Sequence, residues 1–169
     1  EIPVGNAPRQ VVLNGGRAFV SNEGGRPAVP GDFTNLSDGS PIVSNRSTGG
    51  AISGTVSVVD LGSQAQTSSI PVGLQPTALY LHGKSLFVAN SNGDSVSIVN
   101  TTSGRVRPTF HFNPVPGARI GSNPNALTMP DDKHLLISIG RDNAVAVYRV
   151  GKRDEEQGGG TTRAQTTRR

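Results

Sequence analysis

An internal repeat constrains the fold of this chain more than any other feature. Residues 2–5 and residues 70–73 both read Ile-Pro-Val-Gly, and in each copy a proline and then two runs rich in Val and Ser follow in the same order. These runs are residues 17–22 and 55–60 in the first copy and residues 85–90 and 95–100 in the second. A third, more degenerate copy covers residues 124–127, 134–139 and 144–149. A recurring order of motifs indicates a repeat architecture, in which one small structural unit is used several times.

Each copy predicts a four-stranded antiparallel meander. The apolar runs are short, and Gly, Asn, Asp or Pro separates them, as tight turns require. The strands predicted for the second copy are residues 77–81, 85–90, 95–100 and 105–110, and those for the first copy are residues 9–13, 17–22, 54–60 and 66–72. A four-stranded unit of about 40 to 50 residues must stack on its neighbours to bury both faces, which is typical of a β-propeller blade.

The repeats also predict the roles of individual residues. Ser97 is expected on a polar face of its strand, because Ser alternates there with Val and Ile. Val88 is expected to be buried, since it lies in the strongest apolar run, so an Asp at Ser97 should be milder than an Asp at Val88. Gly5 and Gly73 end the two Ile-Pro-Val-Gly motifs and are predicted to supply turns with positive φ.

The predicted fold is therefore all-β, with β-propeller repeats over residues 1–150. We expect about three blades, at approximately residues 6–72, 73–112 and 121–150, which is an incomplete or fragmentary propeller because closed propellers have four to eight blades. An immunoglobulin-type sandwich would have a similar density of strands, but no recurring Ile-Pro-Val-Gly motif.

The third blade is predicted to contain three strands, followed by a disordered polar tail over residues 151–169. This tail carries one aliphatic side chain after residue 151, Ala164, which is too little apolar surface to offset the entropy of ordering it. Two incomplete ends favour either membership of a longer propeller or a homodimer in which residues 1–5 complete the third blade of the other chain.

Composition narrows the classes of function. With no cysteine, the chain forms no disulfide and no thiolate site. The cations are scattered and tryptophan is absent, which does not predict nucleic-acid binding, and no apolar run is long enough to span a membrane. His82, His111 and His134 lack metal-binding spacing, and no nucleophile elbow or phosphate-binding loop occurs, so we expect no enzymatic activity.

The best candidate site is a long insert, residues 23–53, between the second and third strands of the first copy. A loop longer than about 15 residues in a compact domain is usually either functional or disordered. Asp32 and Asp38 are weak candidates for calcium ligands, although their spacing does not match an EF-hand loop, and no other cofactor is predicted. The candidate ligand-binding residues are Asp32, Phe33, Asn35 and Asp38, and the expected ligand is a protein, a glycan or a small molecule.

Residues 70–100 resemble the YVTN-type propeller repeat, in which a Val-Gly and Pro entry precedes a strand ending in Val-Ala-Asn and a Val-Ser-Val-Val-Asp-like strand. The chain is most similar to the YncE-like propeller of bacterial proteins that also carry an alkaline-phosphatase-like phosphoesterase domain, where an insert like residues 31–41 occurs. The resemblance implies a periplasmic or secreted protein. Two functions stay open: a non-enzymatic scaffold that presents loops to a partner, or the propeller portion of a phosphoesterase whose catalytic domain lies outside this chain.

Overall fold

The computed structural model describes residues 1–112, 122–151 and 165–166, and every regular element in them is a β-strand. The strands are β1 (Asn6–Asn14), β2 (Arg17–Gly25), β3 (Thr34–Ser37), β4 (Ser40–Val43), β5 (Gly54–Asp60), β6 (Ala65–Val72), β7 (Pro76–His82), β8 (Ser85–Asn90), β9 (Ser95–Asn100), β10 (Val106–His111), β11 (Pro124–Asp131), β12 (His134–Ile139), β13 (Ala144–Arg149) and β14 (Gln165–Thr166). This part of the chain contains no helix with the length and apolar character that a membrane span requires.

Three four-stranded antiparallel sheets form the body of the molecule. Their strand orders are β1-β2-β5-β6, β7-β8-β9-β10 and β11-β12-β13-β14, and a separate two-stranded sheet pairs β3 with β4. We call the three sheets blades 1, 2 and 3. The first strand of blade 2, β7, packs against β1 on one side and β11 on the other, so the blades stack in chain order. The predicted all-β fold, with about three propeller blades and no closed ring, is confirmed.

Two apolar layers hold the blades together. The layer between blades 1 and 2 contains Phe19, Val56, Leu79, Val88 and Val99, and the layer between blades 2 and 3 contains Phe87, Ile98, Leu135, Ile137 and Tyr148. Three successive residues of β8, Leu86 to Val88, are fully buried, because β8 lies in the blade that is covered on both faces. Burying a side chain of this size contributes about 1.5–3 kcal/mol, so blade 2 is the centre of the core.

The predicted polar face of blade 2 is not exposed to solvent. Ser97 lies opposite Val88 in the β8–β9 register, so the two side chains share the face that meets blade 1, and both are fully buried. The Asn90 side chain donates hydrogen bonds to the Ser95 and Ser97 hydroxyls, at 3.1 and 2.9 Å. The expectation that Ser97 lies on a solvent-facing polar side of its strand is therefore wrong, because a neighbouring blade covers each face of this sheet. This removes the reason to expect an Asp at Ser97 to be milder than one at Val88.

The predicted role of the two recurring glycines is also wrong. Gly5 and Gly73 are not among the residues with positive φ. A Cβ atom on Gly73 would instead lie 2.5 Å from the Asn90 Nδ2 atom, and one on Gly5 would lie 2.5 Å from the Asn22 Nδ2 atom. Asn22 donates to Thr55 and Ser57 as Asn90 donates to Ser95 and Ser97. Glycine is therefore required because a buried asparagine fills the space that a side chain would occupy.

Blade 3 has a fourth strand where the sequence predicted none. In β14, Gln165 pairs with Val147 and Thr166 pairs with Ala146. Two polar residues can complete a sheet through their backbone groups, without the apolar run that predicts a strand. The fourth-strand position is thus occupied by the same chain, which removes the basis for an exchange of residues 1–5 between chains. Apart from residues 151, 165 and 166, the predicted disordered tail lies outside the described residues.

Candidate functional site

The insert contains a β-hairpin, which the sequence analysis did not predict. β3 and β4 pair from Thr34 with Val43 to Ser37 with Ser40. The two residues between the strands, Asp38 and Gly39, have φ values of 45° and 82°. Positive φ at both positions fits the type I′ turn, which Asp-Gly favours and which matches the twist of the flanking strands. The Asp-Gly pair was the local sequence signal for this hairpin.

The hairpin lies on the start of blade 1 through β4. Ile42 packs with Ala7 and Ala51 in a small buried cluster. The Asn6 side chain donates to the Pro41 carbonyl at 2.5 Å, and the Ile52 backbone N–H donates to the Val43 carbonyl at 3.1 Å. The outer edge of β4 is therefore covered, and the insert is a fixed part of the fold.

Five polar residues, which we call the anchor cluster, attach the hairpin to blades 1 and 2. They are Arg9 in β1, Glu23 in β2, Ser37 and Asp38 at the hairpin tip, and Gln75 just before β7. Glu23 is 5% exposed. Its carboxylate accepts hydrogen bonds from Arg9 Nε, from Ser37 Oγ at 3.1 Å and from Gln75 Nε2 at 2.5 Å. The terminal nitrogens of Arg9 donate to Asp38 and, at 2.9 Å, to Ser37 Oγ.

The anchor cluster compensates for the burial of the Glu23 carboxylate. A buried charge is costly unless it is paired and hydrogen-bonded, and Glu23 has three donors. The hydrogen bond to Glu23, and then that to Asp38, raises the pKa of the Arg9 guanidinium above its ordinary value. The Arg9 guanidinium therefore stays charged, and its hydrogen bonds fix the tip of the hairpin.

The ion pair is specific to the blade that carries the insert. Pro8 and Pro76 occupy equivalent places in the repeat, so Arg9 in blade 1 corresponds to Thr77 in blade 2. Asn22 and Asn90 are also equivalent, so Glu23 corresponds to Ser91. In blade 2 this pair is a hydroxyl–hydroxyl hydrogen bond of 2.7 Å. Blade 1, which carries the hairpin, thus has a charged pair at the position where blade 2 has a neutral one.

We expect Glu23→Gln to loosen the hairpin, because the change leaves Arg9 without its buried counter-charge. The free energy of unfolding should fall by about 2 kcal/mol, and trypsin should cleave after Arg46 before the blades unfold. Urea denaturation and limited proteolysis with mass spectrometry measure the two effects. Asp132→Asn is the control, since its carboxylate is highly exposed. Equal cleavage of both variants would contradict the role of Glu23.

The predicted calcium ligands Asp32 and Asp38 are held by different arginines. Arg26 binds Asp32 with two hydrogen bonds of 2.7 and 2.9 Å, and the Val29 N–H donates to the same carboxylate at 2.9 Å. These contacts, the Arg26 side chain first, lower the pKa of Asp32 to about 2. Asp38 belongs to the anchor cluster. The described residues contain no group of three or more His, Cys, Asp or Glu that could hold a metal ion. Calcium binding at Asp32 and Asp38 stays a weak prediction from the sequence.

Phe33 and Asn35, the other predicted ligand-binding residues, hold the following loop against the hairpin. The Arg46 guanidinium lies 4.7 Å from the centre of the Phe33 ring, a distance typical of a cation–π contact. The Asn35 side chain donates to the Gly49 carbonyl at 3.1 Å and accepts from the Leu36 N–H at 2.9 Å. The four predicted residues therefore lie in one insert but do not converge on one pocket.

The outer surface of the insert exposes apolar side chains among polar ones. Four of its large hydrophobic side chains are exposed: Val29, Phe33, Leu36 and Ile52. Leu36, on β3, is 69% exposed and the most exposed of them. The sequence did not predict the anchor cluster, and a ligand-binding site in this insert stays a prediction.

Two solved structures are similar to this chain, and the first of them supports the fold. Hydrazine synthase from Kuenenia stuttgartiensis matches 86% of this chain with a TM-score of 0.58 and 22% sequence identity. The match covers 33% of the hydrazine synthase chain, so this chain spans about a third of its length. A computationally designed protein, Ika8, matches 85% of this chain and 46% of its own, with a TM-score of 0.49 and 14% identity.

No protein-family model and no curated protein matches the sequence. The resemblance to YVTN and YncE-like propellers, the link to a phosphoesterase and the periplasmic or secreted location therefore stay predictions from the sequence.

Proposed function

We propose that this chain is a non-enzymatic propeller module that presents its insert, residues 23–53, to a protein partner. The observation that carries the proposal is the division of the insert into two sides. Its inner side is fixed to blades 1 and 2 by the anchor cluster, while Leu36, on β3, is 69% exposed. Burying Leu36 at an interface would remove an apolar surface that the fold itself leaves in water.

The shape of the insert favours a protein over a small ligand. Small-molecule sites are concave and bury most of the ligand. In β3, by contrast, Thr34, Asn35 and Leu36 are exposed and Ser37 is half-buried, as expected for a strand that projects into solvent. Aromatic residues and arginine are enriched at protein interfaces, and the Phe33–Arg46 contact places one of each beside this strand.

Photo-crosslinking in cells of the source organism tests this proposal. A benzoylphenylalanine at Leu36 is expected to give discrete adducts with protein. The same group at Ser63, which is exposed in the turn between β5 and β6 at the opposite end of blade 1, should give none. The absence of adducts at Leu36, or the same adducts from both positions, would overturn the proposal.

A further inference from the structure

The outer edge of β3 is unpaired in the part of the chain that the structure describes. The Ser44 N–H donates to the Phe33 carbonyl at 2.9 Å, and Asn35 pairs with Ile42 two residues further on. In an antiparallel ladder the direction of the backbone groups alternates. Phe33 and Asn35 therefore direct their N–H and C=O groups to β4, and Thr34 and Leu36 direct theirs outward.

The outward backbone groups of β3 and β4 differ in their hydrogen-bond partners. On β4 the outward carbonyls of Pro41 and Val43 accept hydrogen bonds from Asn6 and Ile52. On β3 the Leu36 N–H is bound by the neighbouring Asn35 side chain, at 2.9 Å, within the same strand. The edge of β3 is thus a short template for another strand.

We infer that this edge pairs with the same edge of a second copy of the chain. The two β3 strands would run antiparallel, with Asn35 opposite Asn35 of the second copy. Thr34 of each chain would then exchange both backbone hydrogen bonds with Leu36 of the other. The Leu36 N–H would replace its Asn35 acceptor by the Thr34 carbonyl of the second copy, and the other three outward groups of each strand would gain a partner. The inference rests on the proposed function, since it names the protein that the insert binds.

The side chains fit this arrangement. Leu36 would lie diagonally from Leu36 of the second copy, within reach of a long side chain, so both would lose solvent contact. The start of β3, where Arg46 stacks on Phe33, would lie beside the hairpin turn of the second copy, where Asp38 is located. The two-fold symmetry of such a dimer makes each of these contacts twice.

Charge supports a second copy over an unrelated extended peptide. The three carboxylates of the insert, Glu23, Asp32 and Asp38, are bound by Arg9 and Arg26, whereas Arg46 contacts a ring. The Asp38 side chain is nevertheless 76% exposed, and one of its two oxygens contacts Arg9. Arg46 of one chain and Asp38 of the other therefore have complementary charges, so a second copy of this chain supplies both members of the pair.

Disulfide trapping tests the pairing, because the chain has no cysteine of its own. Residues at the Asn35 position would face each other as a non-hydrogen-bonded pair, with Cα atoms about 4.5 Å apart, which a disulfide can bridge. Residues at Leu36 would be diagonal, about 7–8 Å apart, which exceeds that reach. Asn35→Cys is therefore expected to form an intermolecular disulfide at least about tenfold faster than Leu36→Cys under the same oxidant.

Two further variants separate this register from general association. Thr34→Pro, added to Asn35→Cys, removes an outward N–H without breaking the ladder to β4, and should slow trapping to the rate of Leu36→Cys. Arg46→Glu, which would place like charges opposite each other, should also slow it. Circular dichroism confirms that each variant is folded.

The inference is overturned if Asn35→Cys, Leu36→Cys and an exposed Ser63→Cys react at similar rates, or if Thr34→Pro has no effect. If trapping fails while Leu36 still gives adducts with other proteins, self-pairing is wrong and the proposed function stands. If neither experiment gives a product, both fall.

Discussion

Val88→Asp is expected to lower the free energy of unfolding by more than about 4 kcal/mol and to leave the protein largely unfolded. Val88 is fully buried in the layer between blades 1 and 2, where it packs in one cluster with Phe19 and Leu79. This apolar layer offers a carboxylate no counter-charge, so the charged form would be uncompensated. Urea denaturation followed by circular dichroism measures the loss.

Val145→Asp is the matched control, because it makes the same change in β13 at a position that is 49% exposed. It should cost less than about 1 kcal/mol. Ser97→Asp should resemble Val88→Asp, since Ser97 is the buried cross-strand neighbour of Val88. A stable Ser97→Asp variant, or a Val145→Asp variant as unstable as Val88→Asp, would contradict the burial of both faces of blade 2.

Gly73→Ala has the second-largest expected effect, about 3 kcal/mol. The added methyl group would lie 2.5 Å from the Asn90 side chain, so this side chain must move. Moving it breaks the hydrogen bonds to Ser95 and Ser97 in a region without solvent. Thermal and urea denaturation measure the change, and Gly5→Ala should reproduce it in blade 1 against Asn22.

Gly16→Ala provides the comparison for this prediction. No atom lies within 4 Å of the place where its Cβ would be, and Gly16 is not among the positive-φ glycines, so it should be close to neutral. A Gly73→Ala variant as stable as Gly16→Ala would show that Asn90 does not require the close approach.

The strands could be predicted because their signal is local and repeated. The predicted residues 85–90 and 95–100 coincide with β8 and β9, since apolar runs and turn residues mark both ends of each strand. The burial of Ser97 could not be predicted in the same way. Alternating Ser and Val suggest one polar face, but a sheet between two others has none, and its hydroxyls are satisfied by Asn90 instead of water.

The candidate site was predicted as a segment and not as a set of contacts. Length alone identified the insert, and carboxylates within it suggested metal ligands. The arginine partner of Asp38 could not be read from the pattern, because Arg9 lies in β1, far from Asp38 in sequence. Glu23 and Gln75 are separated by the whole insert and two strands, and each alone is typical of a solvated polar residue.

The insert also raises the entropy cost of forming blade 1 above that of forming blade 2. Residues 26–53 separate β2 from β5 in blade 1, whereas residues 91–94 separate the corresponding strands β8 and β9 in blade 2. A connection roughly seven times as long costs about 1.7 kcal/mol more in loop-closure entropy. The β3–β4 hairpin lowers this cost, because it shortens the part of the connection without regular structure. Blade 2 can therefore form with less loss of chain entropy than blade 1, and it offers blade 1 the apolar face on which to complete its sheet.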